Sequence, residues 1–322
     1  MQTKLISIAM CTYNGEAYIK EQLDSILKQS YTNLEIIITD DKSSDKTIEI
    51  IKEYQRDDER IKFYENEINL GFLKNFEKAI SLCSGDYIAL ADQDDIWKLN
   101  KLETFIQAIQ GHSLVYSDAI IIDKESKEVG IELVRPKSNL CKGACNKAFF
   151  LNNFVSGNTM MFQKELVEHI LPIPEKMSYH DIWIGYVAST YGEITYTQEA
   201  MTYYRKYEGQ VTHQGDIIPS NIFARLEYKK NLRLKVAKIR AADCEAFLSL
   251  KILQDKDTIK ILELLLEHYK NFDKIFFNYK LYKLLKLYTQ ELFCSIRESK
   301  RNRRAFRTAV GLKLKIISFF IL

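Results

Sequence analysis

Three carboxylates fall within four residues at Asp92-Gln93-Asp94-Asp95, directly after the apolar run Tyr87 to Ala91. Like charges this close repel one another, and such a cluster usually needs a cation. Hard divalent ions such as Mg²⁺ or Mn²⁺ take oxygen ligands, often one or two carboxylates completed by substrate phosphates. An ion held there would act as a Lewis acid on a departing diphosphate. Taken alone, the same four residues also suit a solvated loop that caps a helix over 97–109. A second acidic pair, Asp40-Asp41, follows the run Leu34 to Thr39. A carboxylate there could accept a hydrogen bond from a nucleobase N–H or a ribose hydroxyl, a contact that discriminates strongly between ligands. Thr12, Tyr13 and Asn14 follow a third such run, Lys4 to Met10.

These polar groups need elements that bring them together. The runs over Lys4–Met10, Leu34–Thr39, Ile61–Glu65 and Tyr87–Ala91 read as strands, the first two apolar enough to be buried on both faces. Helical spacing separates them: Ala17, Ile19, Leu23, Ile26 and Leu27; then Ile48, Ile51 and Tyr54, with Ser43-Ser44-Asp45 as a cap; then about Leu73 to Ser81. Strand and helix in alternation predict an α/β fold, a mostly parallel sheet between helices. Ligands in such sheets bind beyond the carboxyl ends of the strands. Three separate strand ends thus deliver Thr12–Asn14, Asp40-Asp41 and Asp92–Asp95 to one rim. Val115–Asp118 and Ile120–Asp123 continue with strand character, and 149–162 and 194–204 read as later strands or loops around the same site.

After about Gly215 the texture changes to Leu, Lys, Ile, Glu and Arg at helical spacing, with no proline beyond Pro219. This predicts two units: an α/β unit over 1–215 and a bundle of three to five helices over 216–322. Charge divides the same way. Residues 1–220 hold 23 Lys and Arg against 33 Asp and Glu, and the remainder holds 23 against 10. A basic helical surface suits an anionic lipid or substrate; a solvated packing or dimerisation unit is the plainer alternative. The six cysteines are scattered, and Cys141 and Cys145 lack further Cys or His nearby for a zinc site. Most are expected to be reduced. No secretory leader and no membrane-length apolar run is read. A GxGxxG after the first strand and a GxxxxGK[ST] are both missing, which argues against a dinucleotide dehydrogenase and a P-loop NTPase.

The segments SIAMCTYNGEAYIKEQLDSIL, IIITDDKSSDKT, NLGFLKNFEKAISLCSGDYIALADQDDIW, SGNTMMF, HDIW and YRKYEGQVTH, in order over about residues 5–213, resemble glycosyltransferase family 2. That family has a catalytic domain of GT-A fold. The DQDDIW and HDIW wording is most similar to bacterial rhamnosyltransferase-like enzymes of polysaccharide assembly. The resemblance implies roles by position. Thr12, Tyr13, Asn14 and Glu16 would surround the nucleotide, and Asp41 with Asp40 would read its base. Asp94 would bind the metal, with Asp92 near the ribose or the metal. Asp95 would line the sugar or acceptor side with Trp97, Gly157, Asn158, His180 and Trp183. Lys74 would approach the donor. Asp181 of His180-Asp181 would be the base that deprotonates the acceptor, with Tyr179, Trp183 and Tyr186 as an apolar wall that lifts its pKa. Where related enzymes often read YR-x-H, this chain has Tyr204-Arg205-Lys206-Tyr207. Arg205 could still meet the diphosphate, but the third metal contact is open, with His213 as a substitute.

The implied reaction is inverting and metal-dependent. A nucleotide-diphosphate sugar, with rhamnose one candidate, would pass to a glycan or lipid-diphosphate-linked acceptor by single displacement. A sugar nucleotidyltransferase, or a non-catalytic carbohydrate-binding protein on the same fold, is the alternative. The expected cofactor is Mg²⁺ or Mn²⁺, and no nucleic acid is expected as a partner. The expected location is the cytoplasm, at the inner face of the cell membrane if the end containing Arg301, Arg303, Arg304, Arg307, Lys313 and Lys315 beside Ile316–Leu322 touches anionic lipid.

Overall fold

The computed structural model describes residues 3–133, 140–208, 210, 221–250, 255–294 and 296–313. They form two compact units. The first contains, in chain order, β1 (Ile6–Thr12), α1 (Ile19–Leu27), β2 (Leu34–Asp40), α2 (Thr47–Asp57), β3 (Ile61–Glu65), α3 (Phe72–Leu82) and β4 (Tyr87–Asp92). There follow β5 (Ile96–Trp97), α4 (Lys101–Ala108), β6 (Leu114–Tyr116), β7 (Ala119–Ile122) and β8 (Glu128–Glu132). The unit closes with β9 (Met160–Gln163), α5 (Val167–Ile170), α6 (His180–Tyr191), β10 (Ile194–Tyr196) and β11 (Thr202–Arg205).

Seven strands make one sheet in the order β10-β6-β9-β4-β1-β2-β3. β4, β1, β2 and β3 run parallel, as the alternation of apolar runs predicts, while β9 enters antiparallel between β4 and β6. β2 is buried along its whole length and β1 along all but Cys11, which is why both are mostly apolar, with Ser7 of β1 and Glu35 of β2 as buried polar exceptions. Ile19, Leu23 and Ile26 of α1 and Phe76, Ala79 and Ile80 of α3 supply buried helix faces.

A second sheet, β5-β11-β7-β8, is not foreseen by the strand pattern. Its β5 has two residues, too few for a periodicity to register, and exists because Ile96 and Trp97 pair antiparallel with Tyr203 and Thr202. The helix expected over 97–109 therefore starts only at Lys101. The cap expected from Ser43-Ser44-Asp45 is split: Asp45 accepts from the Thr47 N–H, and Glu16, thirty residues away, accepts from the Lys46 N–H.

The second unit contains α7 (Ile222–Leu248), α8 (Lys256–Lys270), α9 (Tyr279–Leu287), α10 (Thr289–Leu292) and α11 (Glu298–Ala309), together with the short segments Lys147–Asn152 and Pro174–Ser178. Phe247, Leu265, Leu281 and Phe293 are among its buried side chains. The expected boundary at 215/216 lies outside the described residues, as do His213, Lys315 and Ile316–Leu322. Cys11, Cys83, Cys145 and Cys244 carry free thiols. No described helix is long and apolar enough to cross a membrane.

Candidate active site

Register places the first residues of the site. Thr12 pairs with Asp40 across β1 and β2, and Cys11 with Asp92 across β1 and β4. The three polar strand ends are thus neighbours on one edge. Side chains then tie the loops together. The Thr12 hydroxyl donates to Asp40 Oδ2 at 2.7 Å, which also accepts from the Ser43 hydroxyl at 2.6 Å. Asn14, in the left-handed region at φ 49°, donates its N–H to Ser43 and accepts from the Ser44 N–H. Asp41 accepts from the Asn66 amide and from the Leu70 and Gly71 N–H groups. Asp40, Asp41, Asn14 and Glu16 therefore all brace the rim, and both aspartates are buried. The Tyr13 ring remains 50% exposed, held by its backbone alone: the Gln93 amide accepts from the Tyr13 N–H at 2.8 Å and donates to its carbonyl at 3.0 Å.

The acidic loop is asymmetric. Asp95 is fully buried and accepts from the Arg205 N–H at 3.0 Å and from the Asn158 amide. Asp94 accepts at Oδ2 from the Tyr207 hydroxyl at 2.9 Å. Asp92 is only partly buried. Burial raises the pKa of all three, and the Asp94 charge adds to it at Asp92 and Asp95. A nearby cation, Lys101, offers little relief. It is buried, donates to the Asn158 carbonyl at 2.6 Å and to Thr202 at 3.0 Å, and lies 3.6 Å from the Trp97 ring centre. Burial also drives its own pKa well down.

Asp92 and Asp94 are oxygen donors of the type a hard divalent ion takes, and the Asp94 charge raises the pKa of Asp92. No group of three or more Cys, His, Asp or Glu with metal-site geometry occurs among the described residues. Two carboxylates would leave the remaining positions to water and diphosphate oxygens, as such ions accept.

Asp181 sits in the first turn of α6 and accepts from its neighbour's N–H at Ile182, 2.7 Å away. Burial pushes its carboxyl up to about 6, against hydrogen bonds from Asn153 and nearby backbone that lower it. Its charge is felt at Asp92, which brings α6 near the acidic loop. His180 is buried, stacked on Phe76 with ring centres 3.9 Å apart, and neither ring nitrogen has a partner. Burial drives its pKa down to about 3. Gly157 is the packing partner on its edge, because a Cβ there would lie 2.6 Å from His180 Nε2.

Several expected contacts are corrected by burial. Trp97 and Trp183 are core residues, each 3% exposed, and Trp183 donates its indole N–H to the Ile170 carbonyl. Tyr186 is buried as well, so the aromatic wall is Tyr179 and Phe72, both exposed with ring centres 6.0 Å apart. Arg205 is fully buried, donating to the Asp94 carbonyl, Ser126 and Glu21 and lying over the Tyr18 ring. Its guanidinium ties the loops after β4 and β7 to α1 and is spent on the protein, not open to a phosphate. Lys74 pairs with Glu77 one turn along α3. Gln93, Lys101 and Phe72 carry no sequence signal that separates them from surface residues; only their contacts do.

A parallel sheet with acidic loops at the carboxyl ends of β2 and β4, followed by a helical unit, is the architecture of a GT-A glycosyltransferase. Residues 7–171 match the profile described as Glycosyl transferase family 2, and the chain belongs to that family. It is 29% identical over 287 residues to an uncharacterized glycosyltransferase of Haemophilus influenzae, covering 84% of this chain and 87% of that one. It is 39% identical over 128 residues to the UDP-Glc:alpha-D-GlcNAc-diphosphoundecaprenol beta-1,3-glucosyltransferase WfgD of Escherichia coli, covering 39% of this chain and 50% of that one. Its fold is similar to that of S. aureus TarS 1-349 in complex with UDP-GlcNAc, with a TM-score of 0.61 at 16% identity over 99% of this chain and 92% of that one.

Proposed function

We propose that the chain transfers a sugar from a nucleotide-diphosphate donor to a lipid-diphosphate-linked glycan, with inversion at the anomeric carbon. The observation that supports this reading is that the charge of Asp181, a carboxyl raised to about 6 by burial, is felt at Asp92, a residue far away in sequence. Asp181 takes the proton of the acceptor hydroxyl, whose oxygen then attacks the anomeric carbon as the bond to the diphosphate breaks. Asp92 and Asp94 would hold Mg²⁺ or Mn²⁺, which supplies Lewis-acid stabilisation of the diphosphate. Tyr13 offers its exposed ring to the base. Phe72 and Tyr179 exclude water beside Asp181 and give a sugar ring an aromatic face.

The likeness to WfgD over 128 residues supports a diphosphate-linked lipid acceptor. The motif wording favours a rhamnosyl donor as the first to try. The test is nucleotide release from UDP-, dTDP- and GDP-sugars with metal and with chelator, in the presence of a diphosphate-linked acceptor. Metal-dependent release with one donor is expected. No release, with no nucleoside-diphosphate binding by calorimetry, would sink the reading.

A further inference from the structure

Charge in the helical unit is unevenly placed. Helices α9 and α11 carry eight basic residues and a single acid, Glu298, whereas α8 carries three of each sign. The two basic helices pack together: Phe306 of α11 meets Tyr282 of α9 and Phe277 just before it, with ring centres 5.9 and 5.2 Å apart. Each turns small or apolar residues inward, Leu281 and Leu285 on α9, Ala305 and Ala309 on α11. The helical period then points Lys283 and Lys286, and Arg303 and Arg307, outward. Aromatic rings stand among these charges. Tyr279 is 59% exposed with the Lys283 ammonium 4.8 Å from its ring centre, and Phe306 is 44% exposed.

We propose that this α9–α11 face docks on an anionic lipid bilayer. A polyphosphate in solution would need basic groups alone, whereas exposed aromatic rings set among them gain free energy where an apolar phase adjoins the negative surface; a single-stranded nucleic acid can stack on such rings as well, so the test includes one. Each Lys or Arg held near such a surface adds attraction that salt screens. The face would keep the enzyme at the surface where a diphosphate-linked lipid presents its sugar, and to that extent it rests on the proposed acceptor. Docking itself needs neither donor nor turnover.

The test is co-sedimentation of the full chain with vesicles of phosphatidylcholine alone or with 30% phosphatidylglycerol (roughly the anionic content at which surface attraction is strong). Binding to the anionic vesicles alone is expected, weakening at least about 10-fold when salt is raised past the screening range. Paired reversals Lys283→Glu with Lys286→Glu, or Arg303→Glu with Arg307→Glu, should each reduce it about 10-fold or more. Tyr279→Ser should weaken it at both salt concentrations, since its effect is not screened. Lys52→Glu on α2, in the α/β unit, should leave it unchanged. Equal binding to neutral vesicles, no binding at low salt, or no response to either reversal in a protein folded by circular dichroism would overturn the proposal. Capture of an oligonucleotide without vesicle binding would do so too, and would assign the face to a polyanion. Because donor hydrolysis is read separately, an active enzyme that ignores vesicles removes the docking face and leaves the proposed reaction standing.

Discussion

Two buried carboxylate sites lie at opposite edges of one parallel sheet. Near the start of β2, Glu35 accepts from Ser7, from the N–H and hydroxyl of Ser84 and from Lys62 at 2.8 Å. Burial alone would raise its pKa, but hydrogen bonds from Lys62, Ser7 and Ser84 outweigh it and hold the carboxyl at about 2. At the other edge, among the described residues Asp92 and Asp94 share one hydrogen bond from a side chain, that of Tyr207; burial raises the pKa of both, and the Asp94 charge adds to it at Asp92. β2 thus begins at a carboxylate satisfied by donors, and β4 finishes in carboxylates left short of them. The satisfied site stabilises the fold. The second is short of donors, and perturbed carboxylates of that kind cluster at functional sites.

The comparison can be broken at either edge. The largest effect is expected at Asp181→Asn, which should lower turnover by about 10²- to 10⁴-fold, the range of a lost general base, while calorimetric donor affinity stays unchanged. Retained turnover would show that Asp181 is not the base. Asp94→Ala should weaken metal-dependent nucleoside-diphosphate binding about 100-fold, in keeping with the several kcal/mol a Lewis acid supplies. Affinity that is equal with metal and with chelator in both proteins would count against the Asp92–Asp94 site. At the opposite edge, Glu35→Ala should destabilise the fold by about 3 kcal/mol in denaturant titrations, because the Ser84 and Gly85 N–H groups lose their acceptor. A smaller change would mean water replaces it readily.

The pH responses should run in opposite directions. Glu35 has a depressed folded pKa, so its contribution is present above about 4.5 and lost as pH falls toward 2. Asp181 has a raised one, from 3.8 to about 6, so it costs stability progressively as pH rises through that interval, and Asp181→Asn should remove the cost. The same carboxyl should give kcat/KM an acid limb near pH 6. The smallest effect is expected at Asp92→Asn, which removes a repelled charge. It should raise the melting temperature at pH 7 by about 2–4 °C without metal, and a lowered melting temperature would show that Asp92 is not strained.

Much of the first sheet was legible because β1, β2 and β4 are largely buried on both faces and therefore mostly apolar, and β3 stood out as a short run between helical patterns. Ile61–Glu65 appears at its predicted bounds, and β4 gains only Asp92 beyond its predicted end. The second sheet was not legible. A two-residue strand such as Ile96-Trp97 has no period of its own and is defined by its partner β11, over a hundred residues later. Within the site, the acidic loop and His180-Asp181 stood out by residue type. Aromatic residues misled, since Trp97 and Trp183 have the same letters whether they face a sugar or the core.

By itself, the sequence determined the α/β alternation, the helical texture of the second unit, the acidic residues at successive strand ends and the family they signal. These are local properties, set by periodicity and residue type. Tertiary structure decided which carboxylates were spent on bracing loops, as Asp40 and Asp41 are, and which were left short of donors, as Asp92 and Asp94 are. It also buried Arg205 among protein acceptors and set Asp181 where its charge reaches Asp92. Hydrogen-bond supply and burial depend on neighbours distant in sequence, and those two quantities separate a brace from a reacting group.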